Sequence, residues 1–383
     1  MERFMNNFNR LLCLAFLVSM LTSCSHNLPT QGNYDIYIAY LDETDEESNN
    51  TSSFRIIKND SIIFEGITTL YKFFINFEVE NGHTYFINVR KDPITNECNH
   101  YIYKDLDSTI DLSYLIKPSS FALPIYGFLN EHYIYGNNTI VYNNDPFVMK
   151  QFWDISSDFQ ILENKHEALS PHYLTSHFYQ DKETGDIYFA GYTKCGKTPF
   201  DVYWKNGEEH DYPNTYYNIP SNYCNFTLNP SIVVYNKKVI FYGSNYYWYD
   251  DELFFLNDPS EYILKMISDN GHLYTMISHN APYEYGRDYY NDEPLYTPIF
   301  EHVYIYKDDK LIYENDNVIL PKDFQVVDGI CFYVALEKQE ESNNYTYTIW
   351  RNNEKIHESG EIIFNESMAA CHNSYTRLFV EKK

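Results

Sequence analysis

The stretch Gly185-Asp186-Ile187-Tyr188-Phe189-Ala190-Gly191-Tyr192, continued by Asp201-Val202-Tyr203-Trp204-Lys205-Asn206-Gly207-Glu208, reads as two strands and a tight turn. Asn206-Gly207 between aromatic, extended runs is the strongest short hairpin signal, because both central residues of a type I′ turn take positive φ. The same layout recurs along the chain. Comparable turns follow Ile57-Lys58 (Asn59-Asp60), Tyr306-Lys307 (Asp308-Asp309) and Trp350-Arg351 (Asn352-Asn353). Less regular ones follow Tyr103-Lys104 (Asp105-Leu106) and Trp248-Tyr249 (Asp250-Asp251). One more copy is expected between Lys104 and Lys205, at Tyr142-Asn143-Asn144-Asp145 or near Phe152-Trp153-Asp154.

Turns preceded by residues 58, 104, about 150, 205, 249, 307 and 351 are spaced by about 49 residues, a period typical of units of four strands. A four-stranded unit of this kind cannot bury both faces alone, so copies stack side by side around an axis. The expected fold is therefore all-β, a β-propeller of seven blades with four antiparallel strands each; the blurred third copy leaves six or eight open. Inner strands are expected at Phe73–Val79 and Ile232–Tyr235, each just before the first strand of a repeat pair. The chain enters at Tyr34 without a preceding inner strand and ends on Arg377-Leu378-Phe379-Val380, so the C-terminal strand should close the first blade. No linker rich in Pro, Gly or Ser divides the body, and residues 34–383 read as one domain.

Composition agrees with strands and excludes several partners. Of 383 residues 40 are Tyr and 26 Phe, with only 14 Gly, a bias toward half-buried pleated surface. Lys+Arg number 28 against 54 Asp+Glu, a formal charge of -26, which excludes a phosphate-backbone surface and hence a nucleic-acid partner. Such self-repulsion favours a soluble monomer.

The first 23 residues are a signal. A short charged start with Arg3 and Arg10 precedes the apolar run Leu11–Met20, too short to span a bilayer. Leu21-Thr22-Ser23-Cys24 resembles the bacterial lipobox, which implies that Cys24 is acylated and becomes the mature N-terminus, a membrane partner through its lipid. Ser25 rather than Asp after the cysteine is similar to lipoproteins exported to the outer membrane. Residues 24–33 then form a polar tether. Losing Glu2, Arg3 and Arg10 takes away a net +1, so the mature chain carries -27. Of seven cysteines, Cys98, Cys195, Cys224, Cys331 and Cys371 remain in the body, with no CxxC pair, hence neither a disulfide framework nor a zinc pattern.

Ile187-Tyr188-Phe189-Ala190-Gly191 with Tyr203-Trp204-Lys205-Asn206-Gly207 resembles the repeat of propeller-type lipoproteins of Bacteroidetes bacteria. The other copies match in outline, lacking the Gly or the Trp. The resemblance implies an envelope location and a wheel-like scaffold, and assigns no chemistry. Asp60-Ser61-Ile62 and Asp107-Ser108-Thr109 resemble the O-glycosylation acceptor used in those bacteria.

Catalytic signatures are absent: no HExxH, GxSxG, P-loop or GxGxxG, and no Asp-box repeat. Loop lengths carry more. Leu41–Ser53, Ala281–Phe300 and Glu337–Asn344 are long and all fall between second and third strands, so they should crown one rim. The insertion Pro282–Tyr296 offers Tyr283, Tyr285, Arg287, Asp288, Tyr289, Tyr290 and Asp292, whose rings suit sugar faces while their polar groups suit hydroxyls; Tyr and Arg equally anchor protein interfaces. The acidic run Asp42–Glu47 reads as a solvated loop or a weak Ca²⁺ site, and no other cofactor is expected. The expectation is a non-catalytic envelope propeller that binds a glycan or an envelope protein. Its alternative is a glycosidase-like enzyme with a carboxylate pair in the funnel.

Overall fold

The computed structural model describes residues 33–42, 51–59, 61–69, 77–91, 98–105, 108–111, 125–130, 133–142, 145–155, 161–170, 173–181, 184–192, 202–206, 208–211, 231–243, 245–250, 252–258, 260–287, 294–338, 345–358 and 376–383. The described residues hold strands and turns and no α-helix. They divide into two compact units, residues 36–381 and a small one made of residues 33–35 with 382–383. In the small unit Lys383 N donates to the Asn33 carbonyl at 2.9 Å, and Lys383 Nζ stands 3.1 Å from Asp35 Oδ1.

The strands follow in order. They begin with β1 (Tyr34–Asp42), β2 (Thr51–Lys58), β3 (Ser61–Thr69), β4 (Phe77–Glu80), β5 (His83–Lys91), β6 (Cys98–Lys104) and β7 (Ser108–Asp111). Next come β8 (Ile125–Asn130), β9 (Tyr133–Tyr142), β10 (Asp145–Ile155), β11 (Ile161–Ser170), β12 (Tyr173–Gln180), β13 (Ile187–Tyr192), β14 (Val202–Lys205) and β15 (Glu208–Asp211). The third group is β16 (Ser231–Tyr235), β17 (Lys238–Tyr242), β18 (Tyr246–Tyr249), β19 (Glu252–Phe255), β20 (Glu261–Asp269) and β21 (His272–Arg287). Last are β22 (Pro294–Lys307), β23 (Lys310–Val327), β24 (Ile330–Lys338), β25 (Tyr345–Arg351), β26 (Glu354–Glu358) and β27 (Arg377–Lys382).

Four sheets are plain meanders of four strands, β4–β7, β8–β11, β12–β15 and β16–β19, and a fifth runs β27-β1-β2-β3 with the C-terminal strand at its head. The sixth has seven strands, β20 to β26, where two separate sheets were expected. The cause lies in β23. Its first part, from Lys310, pairs with β22 and its last part, to Val327, with β24; Ile319 pairs with both (Glu301 and Leu336), and Leu320 beside it takes a φ of 57°. One long strand thus serves as last strand of one four-stranded set and first strand of the next.

Alternation along each strand explains why the sheets stack. In β16, Ile232 and Val234 join Tyr188, Phe241 and Trp248 in one core, while Val233 joins Ile240, Tyr242, Ile263 and Ile277 in another. In β21, Ile277 belongs to that second core, and Tyr274 with Met276 joins a third with Phe324, Val326, Cys331 and Tyr333. The sheets that hold β16 and β21 therefore hide both faces between neighbours, the period-2 consequence of strands apolar on both sides. A further core packs Tyr37, Ala39 and Ile56 against Phe77, Val79, Phe86 and Tyr103, with Phe379 of β27 at its edge.

In six places the turn before a last strand falls where the sequence places it. Lys58↔Ser61, Lys205↔Glu208, Tyr249↔Glu252, Lys307↔Lys310 and Arg351↔Glu354 each close a two-residue turn, and Lys104↔Ser108 closes a three-residue one. The first turn residue has positive φ in all six (Asn59, Asp105, Asn206, Asp250, Asp308, Asn352). Only Asn, Asp and Gly adopt that region cheaply. Four of these side chains add a second bond. Asn59, Asp105, Asp308 and Asn352 donate their own N–H to the carbonyls of Ile36, Thr84, Leu273 and Cys331. Their side-chain oxygens accept the N–H of those same residues at 2.8–3.1 Å. Asn143-Asn144 differs: it joins β9 to β10, the second and third strands of its sheet, and Phe152-Trp153-Asp154 lies inside β10.

A second device repeats at fixed register. Tyr37, Tyr85, Tyr188 and Tyr274 stand directly opposite Lys58, Lys104, Lys205 and Lys307. Each ammonium lies 4.8–5.5 Å from the ring centroid of its partner. The cation covers an aromatic face at the end of the strand that would otherwise meet water.

Candidate functional site

The rim expected to bind is the end of the sheets opposite those turns. β1–β2, β21–β22 and β24–β25 are all connections between second and third strands, in accord with the sequence. The stretch Ala281–Phe300 is corrected: much of it is strand, not loop. β21 and β22 stay paired from His279↔Glu301 out to Arg287↔Pro294, with register shifts at His279 and after Glu284. Pro282, Pro294 and Pro298 cannot donate to a ladder, yet the pairing runs through them. A two-stranded ribbon has a free outer edge on each strand, where a missing N–H costs nothing. Register sets Tyr283 against Thr297 and Glu284 against Tyr296, and Tyr285 falls at the second shift. Tyr283, Tyr285 and Arg287 thus lie on the ribbon, while Asp288, Tyr289, Tyr290 and Asp292 lie outside the described residues. Asp42 ends β1, and the rest of the acidic run, 43–47, is also outside them, as is Cys24.

At the foot of the ribbon the structure gathers a polar cluster that the sequence did not single out. Asp258 opens it: its Oδ1 accepts from Ser260 N at 2.8 Å and from Ser260 Oγ at 2.5 Å, the side-chain-to-backbone turn that starts β20. Ser260 Oγ lies 2.8 Å from His279 Nε2 on the neighbouring β21. Because the hydroxyl proton goes to Asp258, the imidazole nitrogen must be the donor in that contact. In a hydrolytic triad the order is reversed: the acid holds the other imidazole nitrogen, and the ring accepts the serine proton. Here the carboxylate holds the serine, so the hydroxyl is not readied as a nucleophile. The two Ser260 bonds also hold the Asp258 carboxyl below its usual range.

Glu261 and His302 complete the cluster. Burial, then the charge of Asp258, pushes the Glu261 carboxyl up, with His279 opposing. His302 occupies the shift between Glu301 and Val303 with a φ of 57°, and its carbonyl accepts from the buried Ser278 Oγ at 2.8 Å. That bond satisfies the backbone group a bulge leaves unpaired. The His302 ring meets His279 edge-on at 6.2 Å, and its Nδ1 lies 3.2 Å from Asp316 Oδ1. Two imidazoles, a hydroxyl and three carboxylates offer donors and acceptors side by side. Among the described residues no group of three or more His, Cys, Asp or Glu is arranged to hold a metal ion. A signal was available: His279 and His302 flank the insertion almost symmetrically, the spacing that pairs residues across a hairpin.

A second polar knot joins first strands. Asp323, 5% exposed, accepts from its neighbour Phe324 N and from Leu378 N of β27, both at 2.8 Å, and pairs with Lys265 Nζ of β20 at 2.7 Å. Tyr242 stands beside it, its hydroxyl bonded by Ser231 and the Met266 backbone, and burial pushes its phenol up. Among the described residues Asp323 meets no second carboxylate, and its acceptors are already engaged. Ser61 and Ser108, the two proposed acceptors, are both exposed and hold equivalent places, first in their sheets' last strands. Cys331 is free and buried, which pushes its thiol up to about 12.

No protein-family model matches the chain, and no curated protein is detectably similar to it. Among solved structures it is similar to an acylaminoacyl peptidase of Pyrococcus horikoshii, at 10% identity and a TM-score of 0.45, over 87% of this chain and 51% of that one. The chain thus spans about half the length of the peptidase. The β-propeller domain of the trilobed protease from Pyrococcus furiosus shares 11% identity at a TM-score of 0.34, over 78% of this chain and 100% of that domain. Likenesses this distant say nothing of what the present chain does.

Proposed function

We propose that this chain is a lipid-anchored, seven-bladed β-propeller of the outer membrane that binds a glycan or an envelope protein through one rim and does no chemistry there. Seven blades follow if β23 is divided at Leu320 between two of them. Closure is supported by β27 heading the sheet of β1 and by Asp323 reaching Leu378. The observation that carries the binding reading is the β21–β22 ribbon, which outgrows its sheet on the side of the long connections with Asp258, Ser260, Glu261, His279, His302 and Asp316 at its foot. Rigid sheets bearing long aromatic, acidic projections are a usual place for recognition. The glycosidase-like alternative has less support, since Asp323 is already committed to three donors.

The test uses the full chain in detergent, applied to a glycan panel and to envelope extracts. Binding that drops at least tenfold in a Tyr289→Ala/Tyr290→Ala variant and in His279→Ala supports the rim. Sugar release from surface polysaccharide, lost on substituting one carboxylate, would replace this reading with the enzymatic one. Cys24→Ala should move the protein from the membrane to the soluble fraction.

A further inference from the structure

Two neighbouring sheets turn tyrosines toward one seam. Val233, Ile240 and Tyr242 of β16 and β17 pack with Ile263, Met266 and Ile277 of β20 and β21. Against that shared core lie Tyr247 of β18 and Tyr304 and Tyr306 of β22, all three half-buried. Register shows what accompanies them. Tyr247 stands opposite Phe254, and the two rings stack at 5.0 Å. Tyr304 stands opposite Ile277 and Glu314, and Tyr306 opposite Leu311, which is 47% exposed. Directly opposed residues share a face, so Glu314 and Leu311 border the same seam.

Carboxylates gather around these rings. Burial pushes the three phenols up, and acids add to it: Asp309 at Tyr247, Glu314, Asp316 and Glu261 at Tyr304, Glu261 and Glu314 at Tyr306. Asp309 lies in the turn between β22 and β23, so its effect on Tyr247 crosses from one sheet to the other. Elsewhere the chain covers such rings with its own cations, Lys238 over Tyr249 at 5.6 Å and Lys307 over Tyr274 at 5.5 Å. Here it does not. Among the described residues no lysine or arginine lies over Tyr247, Tyr304 or Tyr306, and none pairs with Glu261, Asp309 or Glu314.

We infer that this seam takes arginine side chains from a basic segment of a partner protein. A guanidinium lies flat on a phenol ring, its fork matches a carboxylate in two parallel hydrogen bonds, and its aliphatic stem suits Leu311 and Phe254. The formal charge of -26 draws such a segment in from a distance. A neutral glycan could stack on the rings but would gain nothing from the charge gathered beside them. This surface goes beyond the rim reading: only Glu261 belongs to the foot of the ribbon, and no residue of the projecting part contributes.

The experiment is titration calorimetry on the full chain in detergent at physiological salt. The probes are a short glycine peptide carrying two arginines, its citrulline counterpart and a neutral oligosaccharide. The arginine peptide should bind at least tenfold more tightly than the citrulline one. Tyr304→Leu/Tyr306→Leu should lose at least tenfold, Glu314→Gln about threefold, and Tyr304→Phe/Tyr306→Phe should keep most of the affinity, all with the wild-type circular dichroism. Glu208→Gln removes the same charge from an exposed position on β15 and should change nothing. Tyr289→Ala/Tyr290→Ala should also leave this affinity unchanged, which separates failure here from failure at the rim. Equal binding of the two peptides, unchanged affinity in a folded Tyr304→Leu/Tyr306→Leu, or an equal loss in Glu208→Gln overturns the site; binding of the oligosaccharide without the arginine peptide overturns the choice of partner.

Discussion

Replacing Asp323 with alanine should loosen the C-terminal strand before it disturbs the other sheets. The substitution leaves the Phe324 and Leu378 N–H groups without acceptors, and both residues are buried. A buried donor stripped of its partner costs about 1–3 kcal/mol. Losing one member of a buried ion pair costs about 3–5 kcal/mol, but Lys265 is 32% exposed and can rehydrate, so most of that term falls away. The net loss is about 3 kcal/mol. With roughly 2 cal/mol/K per residue over about 350 residues, the unfolding entropy is about 0.7 kcal/mol/K, and the midpoint should fall by about 4 °C. The sharper assay is amide exchange. Leu378 to Glu381 should exchange on the order of 100-fold faster, whereas amides of β21 and β24 should change far less, because local opening is governed by local contacts. Asp323→Asn keeps one acceptor but turns an amide toward a donor, and should fall between the two. Unchanged exchange in β27, or a midpoint within 1 °C of wild type, would refute the assignment of Asp323 as the group that holds β27.

Asn352→Ala should cost about 1–2 kcal/mol in urea unfolding, since alanine resists the φ of 54° and cannot accept from Cys331 N; Asn352→Asp should recover most of it. Lys104→Met should cost about 0.5–1 kcal/mol by removing the cation from the Tyr85 face while keeping the aliphatic stem, and Lys104→Arg should be nearly neutral. For Asp308, burial raises the carboxyl, but the Leu273 N–H and His272 outweigh it and hold the group below its ordinary value; Asp105 behaves likewise with Thr84 N–H and His83. A carboxylate depressed by folding contributes stability that is present above about pH 4 and is lost as pH falls through its folded value. Thermal midpoints measured from pH 6 down to pH 2 should therefore fall less steeply in the Asp105→Asn/Asp308→Asn double variant, and an identical slope would refute the linkage.

The turn residues were legible because their chemistry is local. Asn59, Asn206, Asp308 and Asn352 sit in left-handed conformations that the dipeptide itself selects, so these turn positions followed from adjacent residues alone, whereas the copy expected between Lys104 and Lys205 had no such dipeptide to mark its turn. The Ala281–Phe300 stretch misled for the opposite reason. Its length and mixed polar composition read as an insertion, and whether its two halves pair is settled between residues far apart in it, not by neighbours. The doubling of β23 was hidden too: an eighteen-residue run pairs with β22 as far as Ile319 and with β24 from Ile319 onward, and pairing is not a property of the run. The Asp258–Ser260–His279 contact and the His279–His302 approach depend on register, which the flanking positions of the two histidines only hint at.

Period, alternation and turn chemistry are carried by neighbouring residues, and they determined an all-β array of four-stranded units. Which polar groups meet is decided by strand pairs and sheet stacks that bring together residues far apart in the chain. Asp323 is one acid among 54 in the sequence, and only the packing of β20, β23 and β27 picks it out. Burial sets a charge's worth through the water it loses, and that loss exists only once the sheets have closed around it.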